Sequence, residues 1–227
     1  MKRFLKNVLQ VVLATGVSCA AAGSYEDYFQ AIKRNDARSI VRLLNRGFDP
    51  NTVDPEGRVG LLLALQEPSP KVAEALLSHP GIDVNRLNGV GESPLMMAAL
   101  KGELAWCERL IAHDADVNKP GWTPLHYAAS GGKVPVIALL LEHHAFIDAQ
   151  SPNHTTPLMM AARYGTEEAA RALLDAGADP TMRNEKGLSA ADFARSVGRE
   201  ELARVIEAHE RTYNTGSRDT ATPSGAK

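Results

Sequence analysis

Apolar residues along the chain fall into paired blocks separated by short runs of glycine, aspartate and asparagine. One block of each pair, at 95–99, 125–129 and 158–162, opens on leucine and closes on two alanines. The other carries two adjacent large aliphatic residues: Leu43-Leu44, Leu76-Leu77, Leu110-Ile111, Leu140-Leu141 and Leu173-Leu174. Leucine and alanine at helical spacing predict short amphipathic helices taken two at a time, and an all-α chain. Asp49-Pro50-Asn51, Asp83-Val84-Asn85, Asp116-Val117-Asn118 and Asp179-Pro180-Thr181 supply turns between one pair and the next.

The blocks recur with a period. Ser93, Thr123, Thr156 and Ser189 each open a first block, at intervals of 30, 33 and 33 residues, and a looser copy at Val59 lies 34 residues before Ser93. A Ser or Thr there can accept a bond from a free helix N–H, and Pro94, Pro124 and Pro157 follow at the first helical position, where a missing N–H costs nothing. The copy at Val59 lacks both cap and proline. The paired alanines let neighbouring helices approach closely. Gly47, Gly81 and Gly177 follow second blocks where a left-handed helix cap is expected.

The stretch Thr123-Pro124-Leu125-His126-Tyr127-Ala128-Ala129, with its period, resembles the ankyrin repeat over about residues 25 to 210. The resemblance implies an ankyrin-repeat solenoid of stacked helix-turn-helix units with β-hairpin-like fingers, capped at both ends. One unit cannot bury its own apolar face, so neighbours supply the stability. Residues 24–53 read as an N-terminal capping repeat, with Tyr28, Phe29, Ile32, Ile40, Val41, Leu43 and Leu44 at helical spacing. Residues 54–210 carry the repeats and a C-terminal cap, in which Leu202, Val205 and Ile206 form one stripe opposite Glu200, Glu201, Arg204 and Glu207. The polar residues 211–227 are expected to form a disordered tail.

The amino terminus changes the setting. Lys2, Arg3 and Lys6, an apolar run from Val8 to about Val17, and the small residues Ala20 and Ala22 read as a signal peptide over residues 1–22. That run falls short of the roughly 20 apolar residues of a membrane-spanning helix, so a mature periplasmic protein without a span is expected. Val17-Ser18-Cys19 also resembles the end of a bacterial lipobox, which makes a lipoprotein anchored to a membrane through Cys19 the alternative. The chain has 25 basic and 27 acidic residues, and without its first 22 residues the net charge moves from −2 to −5. A nucleic-acid partner, which needs a basic patch, is therefore disfavoured. After cleavage only Cys107 remains, so no internal disulfide is expected, and its place in a helical block marks it as a small buried hydrophobe.

Catalytic signatures are absent: there is no G-x-S-x-G, phosphate-binding loop or C-x-x-C, and Asp175 and Asp192 do not converge. A non-enzymatic protein without cofactor or metal is expected. His79, His113 and His143 all lie near the ends of consecutive second helices and would form a column, but a cationic side chain is favourable there without any metal. The resemblance implies a concave partner-reading face beside the fingers and after the paired alanines. On this sequence those places hold Arg58, Glu92, Lys101, Trp122, Thr155, Arg163, Tyr164, Leu188 and Arg195. Trp122, Arg163 and Tyr164 are of the types that dominate interfaces. Between Asn118 and Thr123 the chain is three residues shorter than in the other copies, so that finger is clipped at Pro120-Gly121. The resemblance further implies a monomer that binds another protein. Two settings follow from it: support of a periplasmic haem enzyme such as catalase, or neutralisation of a secreted toxin by an immunity protein. A carrier holding haem or another ligand on the histidines or Tyr164 is the rival class.

Overall fold

A computed structural model describes residues 19–219 of the 227. Residues 1–18, which hold most of the expected leader, lie outside the described residues, as do residues 220–227 of the expected tail and the side chain of Cys19. Among the described residues there are twelve helices and one isolated antiparallel bridge, Val53 to Val59, in two compact units divided after Pro94.

In the first unit α1 (Cys19–Lys33) and α2 (Ala37–Asn45) form one pair, and α3 (Gly60–Gln66) and α4 (Pro70–Leu77) the next. The alanines read as a cleavage signal form the first turn of α1. Asp36 caps α2, its carboxylate accepting from the Ser39 backbone N–H at 3.1 Å and the Ser39 hydroxyl at 2.6 Å. Ile40, Leu43 and Leu44 are buried, whereas Val41, read as part of the same stripe, is exposed. Tyr28 is the pivot of the unit: it is fully buried, packs against Phe29 and Phe48, and donates its hydroxyl to the Pro50 carbonyl at 2.8 Å. A Cβ at Gly60 would sit 2.0 Å from that phenol oxygen, which explains why this copy carries no proline at the start of α3. The two pairs are tied together by Ser69, whose hydroxyl donates to the Ile32 carbonyl at 2.6 Å, and by Asn35, whose Oδ1 accepts from Lys71 and Val72 N–H groups at 2.9 and 3.2 Å.

The second unit holds α5 (Pro94–Lys101, starting at the division), α6 (Leu104–Ala112), α7 (Pro124–Ser130), α8 (Val134–Glu142), α9 (Pro157–Arg163), α10 (Glu167–Asp175), α11 (Ala190–Arg195) and α12 (Glu200–Asp219). The first helices α7, α9 and α11 pack side by side, with Ala128, Ala129, Ala161, Ala162 and Ala194 completely buried between them. The carboxy-terminal ends of α5, α7 and α9 come so close that a Cβ on Gly131 would lie 2.4 Å from the Leu100 carbonyl, and one on Gly165 would lie 2.2 Å from that of Ala129. In the second-helix layer Leu110, Leu140 and Leu173 have no exposure. Each such leucine contributes about 1.5–3 kcal/mol by leaving water. Thr156 and Ser189 cap α9 and α11 as expected, accepting from the backbone three residues on. After the second helices the left-handed residues are Gly47 and Gly177, joined by Asp114 and His144; Gly81 is not one, and its N–H instead donates to His79 Nδ1 at 3.1 Å. Leu202, Ala203 and Ile206 bury the inner stripe of α12, as the cap requires. That helix continues to Asp219, so the segment from Arg211 expected as a disordered tail begins as helix.

Candidate protein-binding surface

Each full-length finger is a tight loop pinned by one short polar side chain. Asp54 Oδ1 accepts from the N–H groups of Glu56 and Arg58 at 3.0 and 2.8 Å. Asn88 does the same for Val90 and Glu92 at 3.1 and 2.9 Å, and Asn184 for Lys186 and Leu188 at 2.9 and 3.0 Å. In the remaining full finger the Ser151 hydroxyl accepts from the Thr155 N–H at 3.0 Å. The clipped finger is held differently: the Lys119 ammonium donates to the carbonyls of Pro120 and Trp122, both at 3.1 Å, and Gly121 turns the chain at φ +80.

In α7, the helix after the clipped finger, the third residue is His126. Its Nδ1 accepts from the Thr123 N–H at 3.2 Å, which leaves the proton on Nε2, and Nε2 donates to the Thr155 carbonyl of the following finger at 2.9 Å. The ring is completely buried, and this burial pushes its pKa down to about 4, so it is neutral at pH 7. Met159 and Asp192 hold the matching place in later copies, where Sδ and the carboxylate receive the Thr156 and Ser189 N–H groups at 3.4 and 2.9 Å. Trp122 lies edge-on against His126, with ring centroids 5.2 Å apart, and is half-buried. Its indole is thus spent largely on packing inside its own repeat.

At the other end of these helices the arrangement is open. Tyr164 caps the carboxy terminus of α9 and is 58% exposed. The Arg163 guanidinium lies over the Tyr164 ring at 5.3 Å and the Phe193 ring at 5.9 Å, and donates to the Ser196 hydroxyl at 3.0 Å. Stacking of this kind is worth about 0.5–1 kcal/mol at an exposed site, and together with the Ser196 bond it favours this placement of the guanidinium. Trp122 precedes α7 and Arg163 ends α9, so about 10 Å of helix axis separates the two places and the three side chains do not form one cluster.

The remaining candidates divide by what already occupies them. Thr155 is a correction: it is 2% exposed, because its carbonyl is pulled under by His126 and its N–H by Ser151, so its side chain is not offered to a partner. Arg58 pairs with Asp54 at 2.6 Å and Glu56 at 3.2 Å, and Arg195 pairs closely with Glu207 and faces Glu200 and Asp192 at 3.7 and 3.8 Å. Glu92 accepts from the Asn88 amide of its own finger at 2.7 Å. Lys101 at the end of α5 and Leu188 on the last finger are exposed.

Of the histidines expected as a column, two turn to local backbone, His79 to Gly81 and His113 to the Arg109 carbonyl at 3.0 Å, while His143 caps α8 through its own backbone N–H. Among the described residues no group of three or more His, Cys, Asp or Glu is placed to hold a metal ion, and no helix is long and apolar enough to cross a membrane. Cys107 is fully buried, which pushes its thiol up to about 12.

Against known proteins, a sequence profile of the family described as ankyrin repeats (3 copies) matches residues 28–120 and 107–184. The chain is 35% identical over 161 residues to the nuclear factor NF-kappa-B p105 subunit of Gallus gallus, an alignment that covers 68% of this chain and 16% of that protein. It is 28% identical over 219 residues to SH3 and multiple ankyrin repeat domains protein 2 of Homo sapiens, covering 80% of this chain and 12% of that one. With the ankyrin repeat protein YahD of Escherichia coli (strain K12) it shares 27% identity over 190 residues, 79% of this chain and 94% of that protein. The chain therefore spans a small part of the first two relatives and nearly the length of the bacterial one.

Proposed function

Because the chain belongs to the ankyrin-repeat family, whose repeats are protein-interaction modules, we propose that it binds another protein through the Arg163–Tyr164 end of α9, with Leu188 as a flanking contact. One observation carries this reading: an exposed tyrosine stands beside an arginine that the fold has already ordered through Phe193 and Ser196. Tyrosine and arginine are enriched among the side chains that dominate binding energy, and ordering before contact lowers the entropy that binding must overcome. Lys101 adds a positive charge at the matching end of α5, while Trp122 and Lys119 shape the clipped finger. The role is non-catalytic. The setting we infer is the periplasm, reached through the leader of residues 1–22 or held there by a lipid on Cys19, with support of a haem enzyme such as catalase as the role the family resemblance favours.

A pull-down from a periplasmic fraction tests this, comparing the wild type with an Arg163→Glu, Tyr164→Ala variant. The expected result is a partner retained by the wild type and lost from the variant at an unchanged melting temperature. A partner held equally by both refutes the surface, and full-length protein confined to the cytosol refutes export.

A further inference from the structure

The first unit carries a row of exposed arginines that form no close ion pair. Arg34, Arg38, Arg42 and Arg46 follow one another every fourth residue, before, along and at the end of α2, and all are exposed. The opposite side of the helix buries Ile40, Leu43 and Leu44, so Arg38, Arg42 and Arg46 share the outward face, while Arg34 stands in the turn before it. Elsewhere Arg58, Arg171, Arg183, Arg195 and Arg204 are matched by carboxylates. Among the described residues Arg34, Arg38 and Arg46 have no such match, and Arg42 donates only to the Ser39 hydroxyl at 2.9 Å. Asp36, whose carboxylate caps the helix, feels Arg42 at a distance, and Asp27 lines a groove with Arg34, Arg42 and Arg46, but neither acid closes an ion pair with the row. Arg38, Val41, Arg42 and Arg46 line a shallow groove of about 560 Å³, and Val41 stands 45% exposed among them. Like charges four residues apart weaken a helix, so this row is a cost to the free protein that an anionic surface would relieve.

We propose that the outer face of α2 docks on the anionic headgroups of a phospholipid membrane. Three guanidinium groups, those of Arg38, Arg42 and Arg46, spaced about 6 Å along the axis of α2, suit a flat array of phosphates, and an apolar side chain among them can enter the headgroup layer. The rest of the protein is acidic, which turns this face rather than any other toward a negative surface. The inference concerns the first unit and is independent of binding at Arg163 and Tyr164.

The test is co-sedimentation of the full chain with vesicles of phosphatidylcholine alone or mixed equally with phosphatidylglycerol. Wild type is compared with Arg38→Gln, Arg42→Gln, Arg46→Gln and with the three lysine substitutions. Any insertion of the leader is common to all three proteins, so only the differences between them report the face. The proposal predicts binding to the anionic vesicles that falls about tenfold or more in the glutamine variant, persists in the lysine variant and weakens with salt. Equal binding of wild type and glutamine variant to anionic vesicles overturns it. A wild-type preference for double-stranded DNA over anionic vesicles at equal phosphate overturns it in favour of a nucleic acid.

Discussion

Two aromatic sites in the second unit look alike in the sequence and differ in the structure. Trp122 and Tyr164 both flank a first helix, one before α7 and the other after α9. Trp122 rests on a buried histidine that reaches across to the next finger, so it belongs to the stack. Tyr164 rests on an arginine that is itself ordered by the next repeat, and its ring faces water. Residue type marks a side chain as suited to an interface; whether it remains available depends on what the adjacent repeat puts against it. Function is therefore expected to be sensitive at the second site, and stability at the first.

The sharpest break of this comparison lies at His126. His126→Ala should lower stability by about 3 kcal/mol in urea melts, through a cavity and an unpartnered Thr155 carbonyl. The same site sets a pH dependence. The folded imidazole has its pKa lowered from 6.5 to about 4, so between those values the unfolded chain binds a proton that the folded chain refuses. Stability that is complete above about pH 6.5 is lost as pH falls toward 4, by about 3 kcal/mol from this group. In His126→Met, which installs the residue found at 96 and 159, that acid-dependent part should vanish; a variant with the wild-type pH profile would contradict the assignment. Trp122→Ala should cost about 1–2 kcal/mol from a half-buried ring packed edge-on. Lys119→Met should cost about 0.5–1 kcal/mol by freeing two finger carbonyls, with faster amide exchange confined to residues 119–123. Tyr164→Ala should change stability by less than about 0.5 kcal/mol, which is what separates it from Trp122.

Much of the helical framework can be read from particular residues. Thr123, Thr156 and Ser189 start their helices as the repeat demands, and Leu110, Leu140 and Leu173 fill the core that the aliphatic pairs describe. The missing proline before α3 was visible, but its cause was not, because Tyr28 reaches Gly60 from another helix pair. The finger pins Asp54, Asn88, Ser151 and Asn184 share a function rather than an identity, so self-alignment by residue type passes over them. Thr155 was misjudged because the bond that buries its backbone comes from His126, one repeat earlier. Arg58 and Arg195 look free in sequence, yet Asp54 and Glu207 neutralise them in space. The arginine row on α2 shows the converse, since its four-residue spacing is plain in the sequence and only the structure reveals that none of its guanidinium groups forms a close ion pair.

The most direct test of the binding reading is a calorimetric titration of the partner recovered by pull-down, against wild type, Tyr164→Ala and Trp122→Ala, at a pH where all three are folded. The account predicts that Tyr164→Ala weakens binding by about tenfold or more while its melting temperature stays at that of the wild type. It predicts the reverse for Trp122→Ala: a lower melting temperature, with affinity changed less than by Tyr164→Ala. Wild-type affinity in Tyr164→Ala would contradict the assignment of this surface.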